Sequence, residues 1–205
     1  MRRRLIALMF LAALLPPARV SGADGSRGLT DGQILRGRFV QERHLTGFDA
    51  PLTSAGDFTL IMGRGLIWRA ETPFVITTVI TANGLAQLIP GAAPMRLPAS
   101  RIPFLARLHG MLSGALAGDW RLVEPDFTVT RAGATGQTRV TLTPRLPDAV
   151  AMPFQTIEIT VGRYVERVTM TRPDGGREIL TFHDQAVSSG PPRGGEDAAL
   201  AAAGQ

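Results

Sequence analysis

Three histidines are the imidazoles available for chemistry in this chain: His44, His109 and His183. They fall in different predicted elements, no two stand at i, i+4 spacing, and none belongs to an H-E-x-x-H or similar metal pattern. The pattern points to no metal site, and no nucleophile stands near His44 or His183 to make either the base of a hydrolase. There is no cysteine, which excludes disulfides, a thiolate nucleophile and a lipid-modified cysteine. Ser113 has Gly114 behind it but Met111 two places before it, so it does not form a G-x-S-x-G elbow. Glu124 and Asp126 flank Pro125 and read as a turn. Gly63-Arg64-Gly65 has glycines suited to a phosphate loop, yet no helix start follows it. No catalytic constellation or cofactor site emerges, and what remains is binding through apolar surface.

The elements that would present such a surface are mostly strands. Gly56 to Met62 and Leu66 to Glu71 flank Gly63-Arg64-Gly65, which suits a three-residue hairpin loop. That loop would set Met62 opposite Leu66, Leu60 opposite Trp68 and Phe58 opposite Ala70. Side chains alternate along a strand, so Phe58, Leu60, Met62, Leu66 and Trp68 share one face, with Thr59, Ile61, Ile67, Arg69 and Glu71 on the other. The first face reads equally as ordinary core or as the wall of an apolar cavity.

Around this hairpin, Leu35 to Arg43 is extended in character, with a possible helical start at Thr30-Asp31. Phe74 to Thr81 has the β-branched composition of a central strand, and Asn83-Gly84 turns it toward Leu85 to Ile89. Ser100 can cap a helix running to Gly118, apolar nearly all round and softened by Gly110 and Gly114. Short strands follow at Trp120 to Val123, Phe127 to Arg131, Arg139 to Thr143, Ile157 to Val161, Tyr164 to Thr171 and Glu178 to Phe182. About ten strands, one main helix and no βαβ alternation predict an α+β protein built on a large antiparallel sheet. A sheet of that length curls and acquires a concave side.

Charge and the ends of the chain set its context. The 205 residues carry 22 basic and 17 acidic side chains, formally +5. Arg2-Arg3-Arg4, the apolar run Leu5 to Leu15 and the small residues Ser21-Gly22-Ala23 have the layout of a cleaved secretory signal. Residues 1–23 are therefore expected to be removed, leaving about 182 residues with a net charge near +1. Nucleic acid and anionic membrane surfaces lose their main electrostatic support with that segment. Residues 24–187 are read as one domain, and 188–205, rich in Ser, Gly, Pro and Ala, as a disordered tail.

Between Leu29 and Asp184 the chain carries, in order, Phe39-Val40-Gln41, Gly56-Asp57-Phe58, Gly65-Leu66-Ile67-Trp68 with Pro73, Ile80 through Gly84, Leu142-Thr143-Pro144, and Asp174-Gly175-Gly176 with Phe182-His183-Asp184. In order and spacing these features resemble the LolA family of periplasmic lipoprotein carriers. The resemblance implies an incomplete, strongly curved antiparallel barrel under a helical lid, with an apolar cavity that shelters acyl chains. It places Phe39, Phe58, Leu60, Met62, Leu66, Trp68, Ile76 and Ile80 on the cavity, and Phe104, Leu105, Leu108, Met111 and Leu112 in the lid. It implies no catalysis and no cofactor. The implied partners are an acylated lipoprotein or other lipid cargo, an inner-membrane exporter and an outer-membrane acceptor, served by a monomer in the periplasm. The absence of cysteine fits a soluble carrier better than the lipid-anchored acceptor LolB. Three departures stand out. Met62 occupies the place of a lid-holding Arg, leaving Arg64 as the candidate latch; Leu85-Ala86-Gln87-Leu88 replaces an aromatic-rich strand; and the terminal strand and helix are missing, their place taken by the tail. A lipoprotein-sensing regulatory module on the same half-barrel is the alternative these features leave open.

Overall fold

A computed structural model describes residues 29–101, 123–134, 136–145 and 154–203. Their strands form a single antiparallel sheet: β1 (Gln33–His44), β2 (Leu52–Ile61), β3 (Gly65–Thr72), β4 (Ile76–Thr81), β5 (Gly84–Leu88), β6 (Met95–Pro98), β7 (Phe127–Ala134), β8 (Gln137–Pro144), β9 (Thr156–Val161), β10 (Val165–Thr171) and β11 (Arg177–Ser189). The spatial order is β6-β5-β4-β3-β2-β1-β11-β10-β9-β8-β7. Two meanders, β1 to β6 and β7 to β11, are thus zipped together along β1 and β11, and the sheet stays open between its edges β6 and β7. Helix α1 (Glu196–Ala203) lies against β3 to β6.

The β2–β3 hairpin keeps its expected faces in a different register. Ile61 pairs with Gly65, Leu60 with Leu66 and Phe58 with Trp68. The loop is Met62-Gly63-Arg64: the Arg64 N–H donates to the Ile61 carbonyl at 3.0 Å, and Gly63 takes the positive φ of 76° that this turn requires. Met62 leaves the ladder and donates its N–H to Gln33 O at 3.0 Å. The displacement along the partner strand is two residues, so no side chain changes face.

A bulge on β11 does change parity. Arg36 opposes Ala186 and Arg38 opposes His183, which gives β11 one extra residue there, with Asp184 at φ +53°. Phe182 and Val187 consequently face the same side although five positions apart. They pair with Phe39 and Leu35 respectively.

The end of the chain departs from expectation. β11 runs on to Ser189, and residues 196–203 form α1 instead of a disordered tail, so a terminal helix is present, while no separate strand follows β11 among the described residues. Alanine has the highest helix propensity, so a composition that suggests disorder is equally that of a helix once something holds it. Here arginines do: Arg36 binds Glu196 through Nε and Nη2 at 2.9 and 2.6 Å, Arg64 pairs with Asp197 at 2.7 Å, and the Arg96 Nε donates to Ala202 O at 3.0 Å. The acids sit at the positive end of the helix and Arg96 at its negative end. Leu200 and Ala203 are buried against Ile34, Ile61, Ile67, Val79 and Ala86. β6 has no counterpart among the strands expected from the sequence. Thr30-Asp31 belongs to a turn closed by Gln33 N–H on Thr30 O at 3.1 Å, and Val123 to a turn before β7. The helix read from Ser100 to Gly118 begins as a 3-10 turn, Ala99–Arg101; its remainder, with the lid residues Phe104, Leu105, Leu108, Met111 and Leu112, lies outside the described residues.

Candidate ligand-binding face

Register lays out the inner face row by row. Ile80, Leu66, Leu60, Leu35 and Val187 are successive cross-strand partners from β4 to β11. Beside them run Trp68, Phe58 and Gly37, then Ile76, Ala70, Gly56, Phe39 and Phe182. A further row, Ser54, Gln41, Leu180, Val168, Ile159 and Val140, crosses from β2 to β8.

All eight side chains read from the sequence as cavity-lining stand on this face or at its edge. Phe39, Phe58, Leu60, Met62 and Leu66 are buried. Trp68 and Ile80 are half-buried and pack against that group, and Ile76 is half-buried at its end. Phe182, Val187, Leu35, Leu29 and Tyr164 join the same cluster. The sequence reading omitted them: Leu35 and Phe182 lay in predicted strands with no face assigned, and the bulge that turns Val187 inward left no signal. Phe182 also packs against the second cluster, formed by Val123, Phe127, Val140, Leu142, Ile159 and Val165. The apolar face is therefore continuous from β4 to β7.

Two glycines open the center of this face. Gly56 opposes Phe39, on whose ring Trp68 stacks at a ring-centroid distance of 3.8 Å. The Gly56 backbone lies so close to β3 that a Cβ would meet the Arg69 carbonyl oxygen at 1.9 Å. A Cβ on Gly37 would stand 2.7 Å from the Phe58 ring. Phe182 then meets Phe58 and Trp68 edge-on at 5.4 and 6.0 Å. Trp68 and Phe182 come from strands three spacings apart, about 14 Å in a flat sheet. Their convergence places this face inside the curve.

The F-x-Q and G-D-F features acquire a physical meaning here, since in each the outer two residues point inward. Phe39 supplies the stacking ring. Gln41, two places on, donates from Nε2 to Glu178 Oε1 and accepts from Ser54 Oγ at 3.1 Å, while Arg43 approaches Glu178 at 3.3 Å. The apolar face thus ends in a polar band near the ends of β1 and β11.

The opposite face divides between α1 and charge. Arg38 pairs with Glu71 at 2.8 Å, and the bond holds the Glu71 carboxyl below its ordinary range. Burial pushes the Asp57 carboxyl up, against the opposing pull of Arg69 at 3.9 Å. Hydrogen bonds from Arg36 hold Glu196 below its ordinary range. Arg64 is engaged with Asp197 of α1, and a crevice lined by Arg64, Thr81, Asn83, Asp197, Leu200 and Ala201 opens beside it. Arg64 thus engages this helix on the outer side. His183 is paired with its neighbor Asp184 at 2.9 Å and His44 faces Glu42 at 3.9 Å. Among the described residues no three His, Asp or Glu side chains gather as a metal site, and no helix is long and apolar enough to cross a membrane.

The sequence matches the family described as "Outer membrane lipoprotein carrier protein LolA-like" over residues 25–190. No curated protein matches. Among solved structures, a chain of the Pseudomonas aeruginosa MucA/MucB complex is similar at 13% identity and TM-score 0.46 over 82% of this chain; the match spans 55% of that chain. A LolA superfamily protein from Nitrosomonas europaea is similar at 12% identity and TM-score 0.40, covering 82% of this chain and 91% of that one. A putative outer membrane lipoprotein-sorting protein domain from Vibrio parahaemolyticus is similar at 8% identity and TM-score 0.42, covering 85% and 94%.

Proposed function

Because the chain belongs to the LolA-like family of outer membrane lipoprotein carrier proteins, we propose that it is a periplasmic carrier that binds the acyl chains of a lipoprotein or related lipid against the inner face of its sheet and shuttles them from the inner toward the outer membrane. The observation that carries the reading is the continuous inner apolar face from β4 to β7, bridged by Phe182, on a sheet whose outer apolar patch is already covered by α1. Binding needs no chemistry. At about 0.8 kcal/mol per CH₂, a chain of about fourteen carbons costs on the order of 11 kcal/mol to expose to water, so a carrier must shield it throughout transit.

In this reading Ile76, Ile80 and Trp68, the half-buried members of the face, meet the acyl chain first. The apolar segment from Ser100 to Gly118, with Phe104, Leu105, Leu108, Met111 and Leu112, supplies the cover. Residues 1–23 direct export, an inner-membrane exporter loads the cargo, and an outer-membrane acceptor receives it. Titration with a fluorescent fatty acid tests the assignment of faces. Ile76→Glu should weaken binding about tenfold or more, and Arg69→Glu, on the outer face, should leave it unchanged. The opposite pattern would show that ligand binds the other side of the sheet.

A further inference from the structure

The six strongly exposed large apolar side chains among the described residues are Phe48, Leu52, Phe74, Val75, Ile89 and Met95, with Phe48 and Phe74 at 70% and 73% exposure. All six lie at one end of the sheet. β1, β3 and β5 run in the same direction, so the connections after them, residues 45–51, 73–75 and 89–94, emerge side by side on one rim. Leu52 opens β2 and Met95 opens β6 at that same rim. Across 45–52, 73–76 and 89–95 the only charged residue is Asp49.

This rim is continuous with the inner face. Ile76, next to Val75, is in the row of Phe39 and Phe182. Met95 pairs with Gln87 and through it with Thr78 and Trp68, a register position on the inner side. Leu52 likewise opposes Arg43, two residues along from the inward Gln41. Further charges stand on the neighboring half of the rim, where Arg43, Arg172 and Arg177 lie with Glu178 and Asp174.

We propose that this rim docks on a lipid bilayer, its three loop tips entering the boundary between headgroups and acyl chains, with the guanidinium groups beside it facing lipid phosphates. Apolar tips on separate staggered loops form no groove for a helix or strand, whereas a fluid bilayer accepts them at any spacing. The continuity with Ile76 and Met95 matters because an acyl chain leaving the membrane there reaches the inner face without crossing water. The proposal deepens the carrier reading and rests on it for its purpose.

The test is flotation of the purified protein with vesicles of phosphatidylethanolamine and phosphatidylglycerol. Wild-type protein should float with the vesicles and keep doing so at about 0.5 M salt, where surface charge attraction is screened. Phe48→Ser with Phe74→Ser should lower partitioning by at least about tenfold. Both side chains are exposed, so the fold is retained, and unchanged circular dichroism checks this. Solution binding of a fluorescent fatty acid should stay at the wild-type value in the double variant, which separates the rim from the inner face. Absence of wild-type flotation, flotation abolished by salt, or an unaffected double variant would each overturn bilayer docking. So would a wild-type protein that ignores vesicles yet needs Phe48 and Phe74 to take cargo from a membrane-protein donor, which would assign the rim to a protein partner. Vesicle docking in a protein that binds no fatty acid would instead sink the carrier reading and leave the rim standing.

Discussion

Replacing Glu196 by Gln should release helix α1 from the outer face. Both Glu196 carboxylate oxygens accept from Arg36, at 2.9 and 2.6 Å, with the two side chains 14% and 16% exposed. Oε2 also accepts the Arg193 N–H at 2.7 Å, as the Glu of a capping box does. An amide keeps the shape and loses the charge. Weakening two charge-assisted bonds at this depth costs about 2 kcal/mol, more than an exposed pair contributes and less than a fully buried one. Eight residues do not hold a helix alone, so the cost falls on docking and raises the undocked fraction by about thirtyfold. Hydrogen exchange at pH 7 should therefore quicken about thirtyfold at residues 199–203 and little in β1 and β2. Because Arg36 depresses the folded-state pKa of Glu196, its stabilization is complete above the ordinary carboxyl pKa and is lost as pH falls through the depressed one. The difference between variant and wild type, corrected for intrinsic exchange, should accordingly shrink toward zero on acidification. A variant with wild-type protection at pH 7, or a difference indifferent to pH, would refute the clamp. Asp197→Asn serves as the contrast: its pair with Arg64 is 60% and 48% exposed and should be worth less than about 1 kcal/mol.

Other outcomes follow from the same geometry. Gly56→Ala forces β2 and β3 apart at the Arg69 carbonyl and should lower the melting temperature by several degrees, corresponding to about 1–3 kcal/mol. Saturating fatty acid should raise the melting temperature of wild type, by the equivalent of about 2.7 kcal/mol at a hundredfold excess over Kd, and should raise that of Ile76→Glu much less under the same conditions. Gly110→Ala with Gly114→Ala should slow cargo uptake or release if the segment from Ser100 to Gly118 is a moving cover; unchanged transfer kinetics in the folded variant would count against it.

Much of this architecture was legible because strand alternation is strict. Phe58, Leu60, Leu66 and Trp68 were placed on one face from parity alone, and the loop displacement of two residues left that placement intact. What resisted was anything that breaks parity or depends on a distant partner. The bulge at Asp184 turns Val187 inward and is set by pairing with the distant strand β1, between Arg36 and Arg38, not by residues around it. Helix α1 contains one Leu among alanines, and its stability comes from Arg36, Arg64 and Arg96 on three other strands or turns. β6 is only four residues long and holds Arg96 and Pro98, so it carries no alternation to read. The apolar face itself was visible in the sequence, but core and cavity have the same composition and differ only in what occupies them.

Occupancy is thus the most direct test of the central claim. The protein should be purified from periplasm without detergent, extracted into organic solvent and examined by mass spectrometry for acyl species. The carrier account predicts acyl chains or acylated peptide recovered with the protein, and less of them from Ile76→Glu. A wild-type protein that emerges empty, and that also fails to bind a fluorescent fatty acid, would contradict it.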